Sequence, residues 1–82
     1  MMMEQLTLHH YSVDPKEERR VTLSPMNIQL VAAEVEDVVI NGRSVRNVTI
    51  LFSEGGNVDL TINHADLMQL ERAVGSFFLG EV

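Results

Sequence analysis

The groups in this chain that could do chemistry are its histidines, its serines, a run of carboxylates and one glycine pair. His9 and His10 are adjacent, so on a strand they point to opposite faces and cannot chelate one metal together. His64 stands at the start of a predicted helix, where a local role is expected. Zinc needs three or four convergent ligands, and no spacing here offers them. Ser12, Ser24, Ser44, Ser53 and Ser76 all lie outside a G-x-S-x-G context, so no nucleophile elbow is indicated. Gly55-Gly56 lacks the lysine and the strand–loop–helix setting of a phosphate-binding loop. Glu34, Glu36 and Asp37 read as carboxylates on a solvated strand face, since acid–base work needs a cleft that raises one pKa. The expectation is a protein that is not an enzyme and carries no catalytic, metal or cofactor site.

Composition narrows the partner classes. The 82 residues allow one domain, and the hydrophobic share of 45% is enough for a core. Twelve acidic against six basic residues give a formal net charge of −6. That charge disfavours a phosphate backbone or an anionic lipid surface and favours encounter with a basic partner. Lys16, Arg19 and Arg20 are interleaved with Glu17 and Glu18, and Arg46 is expected to pair with Asp37. Nucleic acid is therefore not an expected ligand, and no aromatic ladder is present to stack bases. The absence of cysteine removes disulfides and thiolate chemistry. Met1-Met2-Met3 runs into Glu4 without a charged or apolar leader pattern, so a soluble cytoplasmic protein with no membrane association is expected.

The elements that must position these groups follow from periodicity and turn chemistry. The fold expected is α+β: a four- to five-stranded antiparallel meander with one C-terminal helix packed on one face. Strands are predicted near 5–13, 19–24, 30–40, 43–53 and 58–62, and the helix near 64–78. Asp14-Pro15 marks a turn in which Asp14 caps the backbone just beyond. Ser24-Pro25 suits a short helical turn. Asn41-Gly42 demands a two-residue type I′ turn, which sets Ile40 opposite Arg43, Val38 opposite Val45, Ala33 opposite Ile50 and Val31 opposite Phe52. One face of that ladder is apolar. Near the turn the alternation inverts, which calls for a bulge near Glu36-Asp37 or a tip that twists free of the core. A three-residue loop Gly55-Gly56-Asn57 would pair Phe52 with Leu60 and Ile50 with Ile62. Asn63 as N-cap, Asp66 as its capping-box partner, an Ile62–Leu67 staple and the stripe Leu67, Leu70, Val74, Phe77 define the helix. Gly75 is a candidate early stop.

The predicted core is Val31, Val35, Val48, Ile50, Phe52, Leu60, Ile62, Leu67, Leu70 and Val74. A single helix covers about one sheet face, which leaves apolar residues in surplus. The partner-binding candidates are accordingly Leu6, Leu8, Val38, Ile40, Val45 and Phe78, with Glu34 and Glu36 beside them. These point to a small acidic protein-interaction module, of the kind that phages and other mobile elements encode as inhibitors or adaptors of a host protein. A homodimer is expected, formed through the apolar patch Leu6, Leu8, Val38, Ile40 and Val45 or across an exposed sheet edge. The competing expectations for function are a homo-oligomeric scaffold and an acidic nucleic-acid mimic built from Glu34, Glu36, Asp37, Glu54, Asp59 and Asp66.

Overall fold

The computed structural model describes residues 5–80. The stretch Met1–Glu4, read above as lacking a leader, lies outside them, as do residues 81–82. The chain is α+β, with mostly antiparallel strands and one helix near the C-terminus. Strands β1 (Leu6–His10) and β2 (Arg19–Leu23) form a hairpin. Strands β3 (Ile28–Ala33), β4 (Val38–Ile40), β5 (Arg43–Phe52) and β6 (Asn57–Ile62) follow, then helix α1 (His64–Ala73) and strand β7 (Phe77–Leu79). β5 is the central strand: β3 and β4 share one of its edges and β6 takes the other. β7 pairs with β3 in parallel and ends the sheet on that side.

The turns behave largely as their residues require. Asp14 Oδ1 accepts from the Lys16 amide at 3.0 Å and opens a 3₁₀ turn at Pro15–Glu17. A second 3₁₀ turn covers Pro25–Asn27, with Ser24 at its N-cap. Asn41 and Gly42 take φ of 51° and 81°, and Val38 and Ile40 face Val45 and Arg43 as expected.

Further along the ladder the register departs from the expected one. Ala33 opposes Val48 and Val31 opposes Ile50, two residues away from the pairing extrapolated from the turn. Four residues, Glu34 to Asp37, span the stretch that Arg46 and Asn47 span on β5. An even excess leaves the side-chain alternation intact, so the bulge lies where expected but does not reset the phase. Val38 and Val45 thus lie on the face opposite to Ala33 and Val48. The excursion lifts Val35 out, and it is 39% exposed instead of part of the core.

The second hairpin is also displaced. Its loop has three residues, as expected, but they are Ser53-Glu54-Gly55, closed by the Phe52 amide donating to the Gly56 carbonyl at 3.1 Å. Gly55 and Gly56 carry φ of 103° and 85°, which only glycine takes without strain. Leu60 consequently faces Val48, and Val58 faces Ile50. The faces are unchanged because this shift is even as well.

The helix is shorter than its apolar stripe suggested. It stops at Ala73, Val74 is its extended C-cap, and Gly75 follows. Phe77 and Phe78 belong to β7, a parallel strand absent from the predicted meander. Asn63 caps the helix as expected, its Oδ1 accepting from the Asp66 amide at 2.7 Å. Asp66 does not complete the capping box. Its Oδ2 accepts from the His9 amide at 2.9 Å and so ties β1 to the helix start.

The core joins three parts. Val31, Ala33, Val48, Ile50, Leu60 and Ile62 come from the sheet, Leu67 and Leu70 from α1, and Leu6 and Leu8 from β1. Val21, Leu23, Phe52, Val74 and Phe77 pack around it, partly buried. Phe52 and Val74 are therefore peripheral to the core in which the sequence placed them. Leu8 has no exposed surface at all. Leu8→Ala should cost about 2–5 kcal/mol in a urea melt, and Val35→Ala less than about 0.5 kcal/mol. Comparable losses at the two positions would contradict this division of inside and outside.

Candidate functional site

The expected partner patch does not form as one surface. Leu6 and Leu8 are 4% and 0% exposed and belong to the core, because α1 alone is too narrow to cover the sheet. Val45 is 1% exposed. Arg43 shares its strand face, and the Arg43 guanidinium sits over the Tyr11 ring at 5.5 Å, so the Tyr11 segment closes that side of the hairpin. Leu6, Leu8 and Val45 are thus removed from the candidate surface. Val38 and Ile40 are half-buried at the hairpin tip. Glu34 is half-buried beside Asn47, while Glu36 is exposed in the excursion. Phe78 is 59% exposed on the terminal strand.

The charged residues near the tip are mostly engaged within the chain. Asp37 Oδ1 accepts from Arg46 Nε at 2.8 Å, and Asp37 Oδ2 accepts from Ser44 Oγ at 2.9 Å with His64 Nε2 3.0 Å away. The Arg46 hydrogen bond, ahead of that from Ser44, holds the Asp37 carboxyl below the usual range. The expected Asp37–Arg46 pair is therefore present, while His64, expected to act locally at the helix start, instead reaches Asp37, 27 positions away in the chain. Among the described residues no group of three or more His, Asp or Glu side chains is placed to hold a metal ion.

Two of the surface concavities bear on the candidate site. The first, of about 440 Å³, is a polar trough on the sheet face away from the helix. There Thr61 Oγ1 donates to Asn47 Oδ1 at 2.7 Å, Asn47 Nδ2 to Glu34 Oε1 at 3.4 Å, and Thr49 Oγ1 to Asp59 Oδ1 at 2.7 Å. The His10 Nδ1 accepts from the Thr61 amide at 3.1 Å. These groups satisfy one another, so the trough reads as a self-contained ladder of cross-strand bonds and not as a receptor.

The second, of about 950 Å³, is an open groove of different character. Its floor includes Leu6. One wall is the 3₁₀ turn, with Pro25 and Met26, and the other is the outer side of α1, with Ala65, Met68, Gln69, Arg72 and Ala73. Met26 and Met68 are 85% and 51% exposed. The helical spacing explains this wall: positions 65, 68, 69, 72 and 73 recur every three or four residues, on a stripe beside the core stripe of Leu67 and Leu70. Arg72 is the one charged side chain among the described residues lining the groove. It forms no ion pair within the described residues. The sequence pattern singled out neither Arg72 nor the methionines as partner-binding residues. The available signal was the second stripe, Ala65–Met68–Arg72, which carries no carboxylate.

No helix among the described residues is long and apolar enough to cross a membrane. Comparison with protein-family models, with curated proteins and with solved structures finds no match.

His10 supplies a pH test of the trough. Burial lowers its pKa below 6.5, and Arg19 adds to this against the opposing fields of Glu17 and Glu18. The Thr61 amide also needs Nδ1 unprotonated as its acceptor. The folded ring therefore binds a proton less readily than the unfolded one. Its share of stability is complete above pH 6.5 and is lost as pH falls from there through the lower pKa of the folded ring. Urea melts at about pH 5 and pH 7 should differ more for the wild type than for His10→Gln, which keeps an acceptor without titrating. Equal differences would show that His10 is not held neutral.

Proposed function

We propose that this chain is a small protein-interaction module that works by docking, as an inhibitor or adaptor does, and not by chemistry of its own. The observation that supports this most is the groove between the Pro25–Asn27 turn and α1. Flexible, polarizable methionine side chains on an open concave surface suit the adaptable packing of partner side chains. Met26 at 85% and Met68 at 51% exposure do not serve this chain's own core. The contrast with the polar trough strengthens the reading, since that surface already uses its own donors and acceptors.

A second reading, self-association, rests on a different observation. β7 is the terminal strand of the sheet, and Phe78 and Leu79 on it are 59% and 53% exposed. A short apolar edge of this kind can pair with its own copy across a two-fold axis and satisfy both rows of backbone groups. In that case light scattering gives twice the chain mass, and Phe78→Glu returns it to the monomer value.

The primary reading is tested by co-purification from native cells with two single variants. Met68→Asp should lose the partner that the wild type retains, while Glu36→Gln keeps it. Both positions are exposed, so each variant should melt within about 0.5 kcal/mol of the wild type. Equal recovery with both variants would place docking elsewhere and overturn the reading.

A further inference from the structure

We infer that the groove takes an amphipathic helix of a partner protein, with a carboxylate of that helix set against Arg72. This rests on the docking reading above and names what docks. Three observations carry it. The walls offer little to an exposed backbone: Pro25, Met26, Ala65, Met68 and Ala73 are apolar, and Gln69 is the one uncharged polar side chain among the described residues there. An extended peptide lying along α1 would leave its wall-facing amides and carbonyls without partners there, a cost that a helix does not incur. The α1 backbone is internally bonded and cannot receive them. A helix brings its own backbone bonds already made and offers a stripe of side chains to the methionines.

The second observation is length. The wall from Ala65 to Ala73 rises about 12 Å along the helix axis, which suits roughly two turns of an apposed helix.

The third is charge. The protein carries a net charge of −6, yet no carboxylate lines the groove among the described residues, and its single charge is Arg72. The location of Arg72 in the last turn of α1 already suits the helix dipole. That interaction leaves the planar donor fork open to a carboxylate, which it can hold through two parallel bonds. The rest of the surface repels acidic chains, so the fitting partner helix has a local carboxylate on a segment that is otherwise neutral or basic.

The probe is a display library of helix-patterned peptides of about 16 residues, roughly four turns, panned against the intact chain. Selection on the wild type should enrich an apolar stripe of three- and four-residue spacing with Asp or Glu at one fixed position beside it. Selection on Arg72→Glu should replace that acid with Lys or Arg, and selection on Met68→Asp should enrich nothing. For a wild-type peptide, Arg72→Glu should weaken binding at least tenfold in a fluorescence polarisation titration. An apolar stripe with no preferred acid, unchanged by Arg72→Glu, overturns the carboxylate assignment and leaves the docking groove standing. Peptides that bind Met68→Asp as well as they bind the wild type overturn both. Failure to enrich any helical pattern, with dodecanoate shifting the Ala65 and Met68 resonances, replaces the helix by an acyl chain and also overturns the proposal.

Discussion

One apolar sheet face must be covered, and a ten-residue helix is too small to cover it. Val31, Ala33, Val48, Ile50, Leu60 and Ile62 make that face, while α1 buries Leu67 and Leu70. The β1–β2 hairpin supplies the remainder through Leu6 and Leu8, with Val21 and Leu23 at the margin. Burying a leucine is worth about 1.5–3 kcal/mol, whereas an exposed ion pair contributes about 0–1 kcal/mol. Apolar burial therefore holds the hairpin in place. The polar ties set its position more finely: the His9 amide on Asp66, the Tyr11 amide on the Thr61 carbonyl, and Asn63 Nδ2 on the Tyr11 hydroxyl.

A cover built from two pieces has a join between them. The groove is that join, with the hairpin's following 3₁₀ turn on one side and the outer stripe of α1 on the other. A single longer helix would have closed the sheet without one. The shortness of α1, imposed where Val74 turns extended ahead of Gly75, thus has a second effect: the chain beyond it is released to form β7. The same economy exposes Phe78 and Leu79 at the sheet edge. Both exposed apolar surfaces, the groove and the β7 edge, descend from one truncated helix.

Alternation of side chains was readable from the residues, and register was not. Asn41-Gly42 specifies its own turn because two successive positive φ angles select those residues, and the pairs beside it follow. Beyond Val38 the pattern constrains only parity. A shift of two residues at Glu34–Asp37, and one of four in the Phe52–Leu60 pairing, keep the inward residues of the paired strands β3, β5 and β6 inward, so hydrophobic pattern cannot distinguish them. Val35 and Phe52 were misjudged for that reason. β7 escaped because Val74 and Phe77 continue a helical stripe, and Gly75 breaks it with no change in hydropathy. Leu6 and Leu8 looked surplus because the hairpin's docking depends on contacts with residues more than fifty positions away. The groove was written in the helix as a second stripe, but Pro25 and Met26 join it only through the tertiary fold.

The ties between β1 and the start of α1 bear on the order in which the structure can be assembled. The His9–Asp66 and His10–Thr61 bonds span separations of 57 and 51 residues, whereas the hairpins at Asn41-Gly42 and Ser53–Gly55 close locally. Loop-closure entropy rises with such separation and is incurred before any contact returns it. On the ribosome, β1 and β2 are made first, yet their docking site does not exist until Thr61 and Asp66 have been synthesised. Leu6 and Leu8 meet Leu23 and Val21 early but stay without their neighbours on β6 and α1 until those elements emerge, so the later residues are what allow the earlier strands to be buried.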